Sequence, residues 1–161
     1  MAFVSRSRRV ALRFAFGPLL LAVLLASCGG SDRLPVGRLQ IRTAAATVSF
    51  RVEIAETDQA RQKGLMGRRH LASDAGMVFL FDQPTTTGFW MKDTLIPLDI
   101  AYWTRGGRIV AIRRMTPCRT ELCPLYAPGR SYTGAVEVAA GALQRHHVTV
   151  GDVVTLERPS F

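Results

Sequence analysis

The sequence predicts a mostly β, small α+β domain: a compact antiparallel sheet or barrel-like domain with one short helix. Three observations predict it. Val48, Phe50, Val52 and Ile54 alternate with Ser49, Arg51 and Glu53, the two-residue period of a half-buried strand. Residues 76–81 form a continuous apolar run of strand length, as expected of a strand covered on both faces. Arg105-Gly106-Gly107 separates the apolar stretch 98–103 from 108–113, as a tight turn separates the arms of a hairpin.

The remaining elements follow in order. Leu39-Gln40-Ile41 can open a strand ahead of 47–55. Thr57 offers an N-cap and Asp58 an acid in the first turn, both favourable where a helix leaves four backbone N–H groups unsatisfied. Ala60, Gly64 and Leu65, with Arg61 and Lys63, then fit a short helix ending near Gly67, which needs the sheet for stability. Residues 82–88 read as a threonine-rich loop and 118–132 as an irregular one. A strand over 133–138, a brief turn of helix around Leu143, and one or two closing strands in 148–156 complete the chain.

A length of 161 residues suits one domain preceded by an address. Arg6, Arg8, Arg9 and Arg13 precede a 13-residue apolar run, 14–26, too short for an ordinary membrane span of ~20 residues. This reads as a secretory signal over 1–27. Leu25-Ala26-Ser27-Cys28 resembles a bacterial lipobox, which implies lipidation of Cys28 and anchoring to the cell envelope. Gly29, rather than an acid, follows the cysteine, which favours the periplasmic side of an outer membrane in a cell with two membranes. Residues 28–45 then read as the lipidated cysteine and a flexible tether, and 46–158 as the single domain. The formal charge of +9 falls to +5 without the four signal arginines. What remains is scattered rather than striped, which argues against nucleic acid; a monomer with a small-molecule or cell-surface polymer ligand is expected. In an oxidising compartment the even pair Cys118 and Cys123 is expected to form a disulfide.

The chemistry concentrates in residues 89–100, where Trp90, Lys92, Asp93 and Asp99 stand among large apolar side chains. Charges in such surroundings are costly unless paired or placed at a site. Trp90 could stack on a sugar or an aromatic ligand while the charges orient it. Equally, Lys92 and the two acids could form an ion-pair network that fixes a loop. Arg61, Arg68 and Glu53 are candidates to complement the cluster. A hydrolase using Asp93 or Asp99 as general base is one alternative. A copper or redox role for Cys118 and Cys123 with Met66, Met77, Met91 and Met115 is another. No resident cofactor or metal is expected.

Several ordered motifs resemble one prokaryotic family, the domain of unknown function 192. They are Val52-Glu53-Ile54-Ala55, Gly64-Leu65-Met66, Gly76-Met77-Val78-Phe79, Phe89-Trp90-Met91-Lys92-Asp93-Thr94, Pro97-Leu98-Asp99-Ile100, Pro117-Cys118 and Glu137-Val138-Ala139-Ala140-Gly141. The resemblance spans roughly 46–156 and implies a small, mostly β fold, frequently exported. It carries no activity or catalytic residues. Asp93 stands where the family pattern usually has an amide, Asn.

Overall fold

The computed structural model describes residues 33–120 and 122–159. The expected signal segment and Cys28 lie outside the described residues. The elements are β1 (Val36–Arg42), β2 (Thr47–Ala55), α1 (Asp58–Lys63), β3 (Ala75–Thr85), β4 (Leu98–Trp103), β5 (Ile109–Met115), β6 (Tyr132–Ala139), α2 (Ala142–Arg145) and β7 (Val153–Glu157). They form one seven-stranded sheet in the order β5-β4-β6-β3-β2-β1-β7. Every neighbouring pair is antiparallel except β2 and β3. A parallel pair needs a crossover rather than a tight turn, and α1 with residues 64–74 supplies it.

Two expectations move. β1 begins at Val36 and pairs residue by residue with β2, so the segment 28–45 is not all tether and the fold starts about ten residues before 46. β3 continues to Thr85 past an irregularity after Leu80, taking in half of the expected loop. A second helix, α2, joins the one foreseen with clarity.

The two ends of the sheet meet. Arg108 bridges Val153, the Ile109 N–H donates to the Asp152 carbonyl at 2.8 Å, and the Val154 N–H donates to the Gly107 carbonyl at 2.8 Å. The sheet therefore curls toward a barrel and covers edges that would otherwise expose unpaired backbone. Gly107 is needed at this junction twice over: its φ is +80°, and a Cβ would collide with the Val154 carbonyl oxygen.

Strand alternation divides the apolar residues into two cores. Leu39, Phe50, Val78, Trp103, Val136 and Val154 point into the barrel, where Leu143 of α2 joins them. Met77, Phe79, Ile100, Tyr102 and Ala135 point outward from β3, β4 and β6 into a second core. Leu65, Met91 and Cys118 cover that outer face. Each fully hidden large side chain contributes roughly 1.5–3 kcal/mol relative to exposure, so the outer layer is as much part of the fold as the barrel. The six-residue α1 is held to it through Ala60 and capped by the Thr57 hydroxyl, which accepts from the Ala60 N–H at 3.2 Å.

Candidate functional site

The loop 86–97 crosses the outer core and is pinned along its length. Phe89 and Tyr126 exchange backbone hydrogen bonds of 3.2 and 2.7 Å. The Met91 carbonyl accepts from the Cys118 N–H at 3.2 Å, and the Cys118 carbonyl accepts from the Asp93 N–H at 3.3 Å. The Gly67 N–H donates to the Asp93 carbonyl at 2.9 Å, tying in the turn after α1. The Tyr132 hydroxyl donates to the Thr87 carbonyl at 2.7 Å, and that of Tyr102 to the Tyr126 carbonyl. Cys118 and Cys123 form a disulfide with Cα atoms 5.8 Å apart, closing the neighbouring loop that supplies these partners.

This backbone decides where the candidate side chains go. Extended geometry sends Met91 into the core, 1% exposed, and leaves Trp90 outside, 50% exposed. Asp93 sits at φ +53°, the left-handed region that Asp and Asn enter more easily than other residues. That backbone demand accounts for a short Asx side chain there, acid or amide. The half-buried Lys92 is engaged rather than free.

Beneath Trp90 runs a chain of edge-to-face aromatic contacts: Phe79–Phe89 at 4.8 Å, Phe89–Tyr102 at 5.8 Å, Tyr102–Tyr132 at 4.9 Å and Tyr132–Phe81 at 5.4 Å. The Arg61 guanidinium lies 5.2 Å from the Phe81 ring centre and donates to Asp58 and to the Glu56 and Leu80 carbonyls. Two openings flank Trp90. An outer depression of about 310 Å³ is bounded by Trp90, Phe89, Phe81, Tyr132, Arg61 and Asp58. An inner cavity of about 30 Å³ shares Arg61, Gln62, Phe89 and Trp90 with it and reaches Thr94 and Glu137. A larger depression, about 470 Å³, lies elsewhere, along β1, β2 and β7, and has no exposed aromatic in its lining.

Glu137 is the residue that sequence reasoning passed over as a candidate. It is 4% exposed, and its cross-strand neighbours are Met77 of β3 and Ile100 of β4, both apolar. No hydrogen bond or ion pair to it occurs among the described residues. Burial pushes its carboxyl up to about 8, because the charged form loses its water. The signal was a single acid inside an otherwise apolar central strand. Burial likewise raises the Tyr102 and Tyr132 hydroxyls well above the ordinary tyrosine range.

Asp99 does not join this cluster. It shares the barrel-facing side of β4 with Ala101 and Trp103, accepting from Arg114 Nε at 2.8 Å and from the Gly141 N–H, which opens α2, at 2.7 Å. Glu53 is on the outer face but is held by Arg68, whose Nη2 donates to both of its oxygens at 2.6 and 2.5 Å. The structure thus gathers Trp90 and Arg61 around one pair of openings, keeps Glu53 two strands from Glu137, and places Asp99 on the other side of the sheet. The sulfurs of Cys118 and Cys123 are joined, not thiolate ligands. No three His, Cys, Asp or Glu side chains converge as a metal set among the described residues.

A family profile described as uncharacterized ACR, DUF192, matches residues 39–156. The chain belongs to the domain-of-unknown-function 192 family. The match of this DUF192 chain covers the barrel and the outer layer alike. Among solved structures it is similar to a protein of Sinorhizobium meliloti 1021 described as a suggested transcription regulator, with 30% identity and a TM-score of 0.73. That likeness covers 79% of this chain and 98% of the other. It is also similar to a protein of unknown function from Novosphingobium aromaticivorans DSM 12444, again 30% identical, with a TM-score of 0.68 over 76% of this DUF192 chain and 86% of that one. No curated protein matches.

Proposed function

We propose that the protein is a non-catalytic binding module, held at the cell envelope by a lipid on Cys28 and acting as a monomer. Its ligand has a flat or ring-shaped body with polar edges, such as a sugar of a cell-surface polymer. The observation that carries this reading is Trp90: a large, half-exposed ring on a backbone fixed by hydrogen bonds at Phe89, Met91 and Asp93. A backbone already fixed loses little freedom on binding, so stacking on the ring has only its side-chain torsions to order. The adjoining 310 Å³ depression, at the lower end of the size of small-molecule sites, supplies apolar walls with Asp58, Arg61 and Gln62 at its rim.

The hydrolase alternative loses Asp99 to its contacts with Arg114 and Gly141. The copper alternative loses two thiolates to the disulfide. The regulator description of the Sinorhizobium protein is not carried over, because α1 and α2 have six and four residues, short for a helix that reads a major groove. The test is a thermal-shift screen of monosaccharides and envelope polysaccharides on the exported protein and its Trp90→Ala variant. The reading expects at least one ligand that stabilises the wild type and not the variant. Equal shifts in both proteins would remove Trp90 from the site.

A further inference from the structure

Glu137 needs an explanation that the stacking face alone does not provide. A carboxyl in so buried a side chain ordinarily has a cation or several donors beside it; none is found among the described residues, and since no side-chain oxygen there is sealed from both water and a partner, the Glu137 oxygens touch the cavity. It lines a cavity of about 30 Å³, room for one water-sized group. That cavity shares Trp90, Phe89, Arg61 and Gln62 with the outer depression. These four side chains form the wall common to the two spaces, so a short substituent of a ligand lying against Trp90 would reach Glu137 past that wall.

Resting on the binding reading above, we infer that the Glu137 cavity is an ammonium subsite through which the Trp90 face selects sugars bearing a free primary amine. A bound ammonium would offset the cost of an ionised carboxylate, which burial otherwise opposes. The aromatic side chains of Phe79, Phe89 and Trp90 also line the cavity, and a ring that turns its face to it would attract a cation. The narrowness of the space, about 30 Å³, disfavours an acetylated amine, which carries three more heavy atoms than an ammonium. On binding, the carboxyl proton leaves to solvent and the ammonium keeps its own.

The charged groups around the cavity are few. From α1, Arg61 and Lys63 line it and oppose a cation; Arg61 is turned to Asp58 and two carbonyls, and Lys63 is exposed. From β4, Tyr102 presents a hydroxyl that burial keeps neutral. β3 contributes Met77 and Phe79. Glu53, already paired with Arg68, and Arg113 lie two strands to either side in the same cross-sheet row, roughly 10 Å away. Lys92 and Asp93 of the covering loop are not among the residues that line the cavity.

Calorimetric titration of the exported protein with glucosamine, glucose and N-acetylglucosamine at pH 5 to 7, in buffers of different ionisation enthalpy, tests the inference. Glucosamine should bind at least tenfold tighter than glucose and N-acetylglucosamine more weakly than either. Glucosamine binding should release close to one proton and tighten about tenfold per pH unit, as linkage to a group titrating near 8 requires. Glu137→Gln should abolish both the proton release and the pH dependence; the three-sugar comparison stands without it. Equal binding of glucosamine and glucose with no proton released overturns the ammonium subsite and leaves the Trp90 face intact. If none of the three binds while another sugar does so through Trp90, the subsite alone is again overturned. If no sugar binds at all, both readings fall.

Discussion

At Glu137 the carboxyl is neutral through most of the physiological range, and this has a consequence for stability that does not depend on any ligand. In the unfolded chain a glutamate titrates near 4.3; in the fold burial moves it to about 8. Between those values the folded state holds a proton that the unfolded state has lost, so stability falls as pH rises from about 4.5 to about 8 and is flat above. The span corresponds to roughly 5 kcal/mol as an upper figure. Glu137→Gln keeps the shape without the charge. It should leave stability near pH 4.5 almost unchanged and raise it by several kcal/mol at pH 8, as read by urea unfolding across that range. A variant that loses stability equally at both pH values would show that the carboxyl is not held neutral. Asp99, by contrast, owes its place to two donors, and its role is to hold Arg114 and the entry to α2.

At the scale of elements, the outer layer is made of loop rather than regular structure, and the disulfide is what stiffens it. A bridge between residues five apart removes denatured-state entropy worth about 2 kcal/mol in the chain-entropy model. Reduction, or the paired Cys118→Ser and Cys123→Ser change, should lower stability by about that amount. It should also raise amide exchange at Asp93, residue 118 and Tyr126, whose N–H groups donate across this loop or beside it, while the barrel strands stay protected. Uniform exchange would mean that the bridge supports the whole fold. The strands themselves were legible because their alternation is local: β2 reads directly from Val48, Phe50, Val52 and Ile54, and the Thr57 cap from one hydroxyl. β1 was thin in sequence because its pattern rests on Leu39 and Ile41 alone, and its register comes from β2 and β7 on either side. The parallel pairing of β2 with β3 was hidden for a like reason, since only the whole sheet order reveals it.

For the whole molecule, the organising feature is one sheet that closes on itself and carries a second core outside the barrel. Which acid lands in which core follows from the face of its strand, and this separated Asp99 from Trp90 although nine residues part them in sequence. Glu137 and Trp90, forty-seven residues apart, were brought to one cavity instead. Of the stretch 89–100, Phe89, Trp90 and Thr94 line that cavity. Their chemical partner could not be read from neighbours in the chain, because the loop meets β6 only after folding.

The measurement that bears most directly on this account is fluorine NMR of the exported protein labelled with 5-fluorotryptophan. The two tryptophans give two resonances, assigned through Trp90→Phe. Trp103 is buried in the barrel, 7% exposed, and serves as an internal reference. Titration with glucosamine and with envelope polysaccharide should move the Trp90 resonance saturably and leave that of Trp103 in place. Two unmoved resonances across all of these ligands, or a Trp103 shift as large as that of Trp90, would contradict a binding face built on Trp90.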